Sequence, residues 1–374
     1  MTCNSSCTIS GEKMKPSVLY PVALFTTGLI GNIIALCIIF RHKSIAPGKR
    51  VSVFYVLVSG LAWTDLLGKV LLSPVVLACY ALSKCLSQIS RHLCNTFGLL
   101  MSFFGLCPTL ILLAIAVECL LSVGYPYVYN RQVTRRRALM CLFSIYAFSF
   151  LFCVLPLFGF GDYRQYHPGT WCFIRLNDTR PANKAFSLVY ATLLTLAILA
   201  VVICNMLVKI NLMKMYKLTR KRCIYNASAR TRTTASPQHS EELDHLVVLM
   251  LMTLSFLICS IPVTVRVYTG AFSSYECAPW EEEQRDLLAM RFLSVNSIVD
   301  PWVFIILRTS LCRKQLHKLF DKLCMSRTPR TTSATPDPNP CHMRTGSLGD
   351  GGHTPSTVQD RLELTAWDDF QGPK

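Results

Sequence analysis

Seven runs of apolar residues, at roughly 18–40, 52–80, 94–124, 139–160, 185–213, 244–270 and 287–307, constrain this chain more than any other feature. Each reaches the ~20 residues that an α-helix needs to cross ~30 Å of hydrocarbon. In lipid every backbone N–H and C=O must be satisfied within the segment, so such runs become helices. The expected fold is all-α and integral to the membrane: a seven-transmembrane helix bundle over residues 18–308. Residues 1–17 precede it outside, 309–325 form a short amphipathic helix on the membrane surface, and 326–374 form a disordered tail. Only 16% of the residues are charged, against about 25% in a soluble domain.

The net charge of +17 does not indicate nucleic acid, because the basic residues sit between the apolar runs. Arg41, Lys43, Lys49 and Arg50, then Arg131 and Arg135 to Arg137, then Lys214 to Arg232 fall on one side, while loop 271–286 opposite is acidic. Basic loops stay in the cytoplasm, which puts the N-terminus outside and the C-terminus inside. Asn4 and Asn177 then head extracellular glycosylation sequons, whereas the sequon at Asn226 falls inside and is discounted. No apolar stretch precedes residue 18, so no cleaved signal peptide is expected. Leu311, Leu316, Leu319 and Phe320 alternate with Arg313, Lys314 and Lys318, the pattern of a helix lying on the inner leaflet. Cys324 closes it, as a palmitoylation candidate or an unmodified thiol. The eighteen cysteines lack metal-ligand spacing, and neither metal nor cofactor is expected.

Polar groups inside the runs mark the functional interior, because each is costly facing lipid. The first run holds Asn32, the second Asp65 and Lys69, the third Glu118, and the seventh Arg291, Asn296, Asp300 and Pro301. Asp65 and Lys69 are four apart, so Lys69 either pairs locally with Asp65 or lines a ligand cavity. Asn32, Asp65 and Asp300 read as a polar core that repacks between two states. Arg291 lies about 13 Å along the helix from Asp300; it either snorkels to the acids of 281–286 or faces an anionic ligand. Methionines and phenylalanines in the third and sixth runs read as packing.

Asn296-Ser297-Ile298-Val299-Asp300-Pro301, Arg291 above it, and the loop Gln165-Tyr166-His167-Pro168-Gly169-Thr170-Trp171-Cys172-Phe173 together resemble the prostanoid receptors, a branch of the rhodopsin-like G-protein-coupled receptors. Segments 66–78, 101–106 and 241–246 are most similar to the receptors of that branch whose ligand is prostaglandin D2, with those for prostacyclin and prostaglandin E2 next. The resemblance implies a disulfide between Cys94 and Cys172. It also implies a lid formed by the second extracellular loop, and a ligand carboxylate shared by Arg291, Thr170 and Tyr80, with Trp171 and Lys69 nearby. A guanidinium binds a carboxylate through two parallel hydrogen bonds, which suits that role. The implied partners are a prostanoid lipid, a stimulatory heterotrimeric G protein that raises cyclic AMP, receptor kinases and arrestin, at the plasma membrane.

Several positions depart from the pattern. His167 stands where the family often has a cysteine, so a second loop disulfide is not expected, and pairings of Cys3, Cys7, Cys85 and Cys277 stay open. Glu118-Cys119-Leu120 lacks the usual arginine, so an acid–arginine lock cannot form. Cys259-Ser260-Ile261-Pro262 of the sixth run has a smaller residue in place of the usual tryptophan, and Pro108 removes a backbone bond and a hydroxyl of the third; a bound sodium ion is not expected. A transporter is the rival from another class, but seven unlike runs show no internal repeat. No HExxH or GxSxG motif suggests an enzyme.

Overall fold

The computed structural model describes residues 18–45, 53–176, 178, 180–227, 238–272 and 280–308. The helices are α1 (Leu19–Ile45), α2 (Val53–Leu82), α3 (Leu86–Ile89), α4 (Arg91–Gly124), α5 (Pro126–Gln132), α6 (Arg135–Val154), α7 (Pro181–Ala227), α8 (Gln238–Phe272) and α9 (Trp280–Arg308). Seven of them, all but α3 and α5, are long and apolar enough to span a membrane. They close on themselves: α1 packs on α2 and α9, α9 on α8, α8 on α7, and α7 on α4, which returns to α2; α6 lies against α2 and α4. Lipid-facing positions stay apolar and exposed, as with Phe143, Leu151 and Leu196.

The helices outrun the apolar stretches. α7 continues past Lys214, and α9 begins with Glu281, Glu282 and Glu283 in its first turn, where acids meet the positive end of the helix dipole. A helix needs backbone bonds, not apolar side chains, so it extends into the charged flanks. α4 runs unbroken through Pro108. Thr134 caps α6 by accepting the amide of Arg137 at 3.4 Å.

Between α6 and α7 the chain forms an antiparallel hairpin, β1 (Tyr163–Tyr166) against β2 (Trp171–Ile174), with Tyr166 opposite Trp171. Its turn requires glycine at 169, where φ is +103° and a Cβ would stand 2.4 Å from the Cys85 Sγ. The His167–Pro168 bond is cis. The hairpin is anchored twice. The Cys94–Cys172 disulfide joins it to α4, and the Leu86 amide at the head of α3 donates to the Gly169 carbonyl at 2.9 Å. The Gln165 side chain adds an acceptor for the Ser87 amide at 2.7 Å. Tyr163 lies flat on Gly98 of α4, its hydroxyl donating to the Cys153 carbonyl at 2.7 Å.

Two apolar cores share the bundle. One, at the hairpin end, centres on Phe97, Leu106, Phe173, Phe186 and Tyr190. The other, at the opposite end, centres on Phe54, Leu57, Ile111, Ile115 and Phe256. Cys85 is also held in a disulfide. Cys3, Cys7 and Cys277 lie outside the described residues, as do Asn4, Asn177, Cys324 and the surface helix and tail expected over 309–374.

Candidate functional site

At the hairpin end the helices enclose a cavity of about 590 Å³, within the range that holds a drug-sized ligand. Its walls come from α1, α2, α4, α8 and α9, and the hairpin turn roofs it with His167, Pro168, Thr170 and Trp171. Arg291, Thr170, Tyr80, Lys69 and Trp171, the five residues expected to bind ligand, all line this one space. The lid owes its position to internal bonding. The Trp171 indole stacks on Tyr166 at 4.8 Å, and its N–H donates to the His167 carbonyl at 2.8 Å. Thr170 and Tyr80 line the same part of the cavity, so lid and α2 meet at its polar corner.

Arg291 does not reach for the acids above it. Glu282 and Asp286 are taken by Arg266 of α8, at 2.6 and 2.7 Å, and Glu282 is shared with Arg285. The guanidinium of Arg291 instead lies 4.9 Å from the ring centre of Tyr20 on α1 and makes no ion pair among the described residues. Its donors are therefore available on the cavity wall. The imidazole of His167, in the lid, is held below its usual pKa by burial and by Arg291, while Glu283 acts in the opposite sense.

Lys69 lies on the cavity wall. It forms no ion pair with Asp65 within 4 Å among the described residues; its ammonium donates to the Ser294 carbonyl at 2.8 Å and hydroxyl at 3.0 Å. The long stem crosses from α2 to α9 because Gly28 of α1 leaves room, with a Cβ there only 3.1 Å from the Lys69 Cε. The helical spacing that favours pairing with Asp65 is outweighed by two close oxygens on the neighbouring helix.

At the base of the cavity, which Asp65 and Asn296 line, Asn32, Asp65, Asn296 and Asp300 are buried together with Pro301. Asn32 bridges α1 and α9 by donating to the Ser297 and Gly28 carbonyls at 3.0 Å. One side-chain oxygen of each of Asn32, Asp65, Asn296 and Asp300 has no hydrogen-bond partner among the described residues. At the opposite end of the bundle, Glu118 accepts the Tyr129 hydroxyl of α5 at 2.7 Å, and an aromatic donor fills the place an arginine would have taken.

Sequence reasoning missed other wall residues. Phe97, Met101 and Phe104 of α4 line the cavity although methionines and phenylalanines there were assigned to packing. Tyr20 and Ser294 were not singled out either. An aromatic near the start of the first apolar run and a serine one helical turn from Arg291 gave no signal without the tertiary contacts.

Residues 31–304 match the model of the seven-transmembrane receptor (rhodopsin) family. The mouse prostaglandin D2 receptor is 46% identical over 80% of this chain and 88% of its own length. The human prostaglandin D2 receptor is likewise 46% identical, over 84% and 92%. The dog prostaglandin E2 receptor EP2 subtype is 44% identical over 78% and 82%. Among solved structures, squid rhodopsin superposes with a TM-score of 0.65 over 84% of this chain and 87% of that one, at 17% identity, a likeness of fold alone. With seven spanning helices and a lidded cavity, the chain is a multi-pass protein of the plasma membrane and belongs to the rhodopsin family of seven-transmembrane receptors, in its prostanoid branch.

Proposed function

We propose that this receptor is activated by prostaglandin D2 and couples to a stimulatory G protein to raise cyclic AMP. The observation that carries the reading is the polar corner of the cavity. A guanidinium that forms no ion pair among the described residues (Arg291) stands with the hydroxyls of Thr170 and Tyr80, above walls built largely of Phe97, Met101, Phe104 and Leu293. A carboxylate on an apolar chain fits that pattern, and burial strengthens both the charged and the neutral donors. Lys69 and Trp171 contact the body of the ligand, one from a turn below Arg291 and the other from the lid. Agonist binds the active arrangement better and shifts the population toward it. The polar core of Asn32, Asp65, Asn296 and Asp300 repacks in that transition, and the end of the bundle near Glu118 opens to the G protein. That end is cytoplasmic by its basic loops, with the N-terminus outside and the C-terminus inside. Receptor kinases and arrestin act on the cytoplasmic side. Prostaglandin D2 is supported by the mouse and human relatives, and prostaglandin E2 by the next ones.

The test is cyclic AMP in cells expressing the chain, dosed with prostaglandin D2, prostaglandin E2 and a stable prostacyclin mimic, beside Arg291→Ala. Greatest sensitivity to prostaglandin D2, weakened about 10- to 100-fold by the substitution at equal surface expression, supports the reading. Greater sensitivity to another prostanoid changes the ligand, and silence to all three rejects it.

A further inference from the structure

His167 is the one ionisable residue of the lid turn, and the ligand reading above leaves it unused. Its side chain is only 6% exposed and lines the cavity alongside Thr170 and Arg291. Its backbone is held by the bond from the Trp171 indole and by the adjoining turn.

The charged groups that act on it come from α9: Glu283 favours the imidazolium, and Arg291 opposes it. On the α2 side Tyr80 lines the same cavity as His167. Burial adds to the opposition from Arg291, and together they hold the ring below its ordinary pKa. A carboxylate seated on Arg291 reverses the balance. It cancels the nearest positive charge and places a negative one in the same enclosed space, where charges are weakly screened. Linkage then requires that whatever draws a proton onto the histidine is itself bound more tightly when protons are plentiful.

We propose that His167 is a second cationic contact for the acidic lipid, taking up a proton as the carboxylate seats on Arg291 and so tying ligand affinity to pH. The inference rests on the ligand reading given above. The sign is fixed: binding raises the proton affinity of the ring, so ligand affinity rises as pH falls. An aliphatic carboxylic acid stays largely ionised down to about pH 5.5, which keeps the ligand's own titration out of the window.

The experiment is saturation binding of tritiated prostaglandin D2 to membranes carrying the full chain, from about pH 7.4 to about pH 5.5. Wild type should gain about three- to tenfold in affinity, up to one unit of ring pKa being worth a factor of ten. H167Q and H167F should give flat profiles, and E283Q should keep a gain displaced to lower pH. A gain in wild type that persists unchanged in both histidine variants, or a flat wild-type profile with binding intact, overturns the role of His167. Absence of saturable binding at every pH overturns the ligand reading and this inference with it.

Discussion

Replacing Gly98 with alanine adds one methyl group to the side of α4 on which the lid rests. An ideal Cβ there would stand 2.6 Å from the Tyr163 Cδ1 and 2.7 Å from its Cγ, about 1 Å closer than carbon atoms tolerate. Tyr163 cannot turn aside cheaply, because it is buried, bonded through its hydroxyl to the Cys153 carbonyl, and paired across the hairpin with Ile174. Overpacking of this kind costs about 1–3 kcal/mol, and losing the tyrosine bond adds about 1 kcal/mol. Against that, alanine in a helix is favoured over glycine by about 1 kcal/mol. The net is about 1–3 kcal/mol of destabilisation, a fall in Tm of several degrees at about 2–4 °C per kcal/mol. The buried thiols Cys79, Cys107 and Cys153 provide the assay: a thiol-reactive fluorophore reports their exposure as detergent-solubilised receptor is heated. In a Tyr163→Ala background the methyl enters vacated space, so the same change becomes neutral or stabilising. A reversal of sign between the two backgrounds is the expected signature. An equal fall in both, or no fall in either, would refute the argument from close approach.

Lys69→Met should leave Tm within about 1 kcal/mol equivalent, because removing a buried ammonium also removes its desolvation cost. Prostaglandin D2 binding to the same variant should weaken roughly 10- to 100-fold if the ammonium touches ligand; unchanged binding assigns Lys69 to the Ser294 bridge alone. At the α8–α9 seam, Arg266→Met strands the buried Asp286 carboxylate and should destabilise by about 2–4 kcal/mol, whereas Asp286→Asn leaves Arg266 paired with Glu282 and should cost about 1–2 kcal/mol. The same thermal assay ranks the two, and the reverse order would contradict the pairing.

Hydropathy made the seven spans legible, because the requirement to satisfy backbone bonds in lipid leaves a run of apolar residues one solution. It misplaced their ends, as at Trp280 and beyond Lys214, because it measures the thickness of hydrocarbon and not the extent of the helix. The gathering of the five expected residues in one cavity was legible only through the loop motif: nothing in the spacing of Thr170 and Arg291, over a hundred residues apart, brings them together. Lys69 shows the opposite limit. Its neighbour four residues away was the visible partner, while Ser294, reached across the bundle past Gly28, was not. The hairpin gave no clear alternation, since all of β2 is buried and a strand covered on both faces carries no period-two signature.

The double anchoring of the hairpin has a kinetic consequence. A roof stapled to α4 at Cys172 and to the head of α3 at Gly169 cannot swing as a flap on one hinge. A molecule beneath it leaves when the helices around the cavity part, a collective motion of microseconds to milliseconds or slower. Residence time is then governed by the seams between helices more than by the loop that covers the site. Breaking the Arg266–Asp286 clasp between α8 and α9 should therefore speed the escape of a molecule from the cavity, although neither residue lines it.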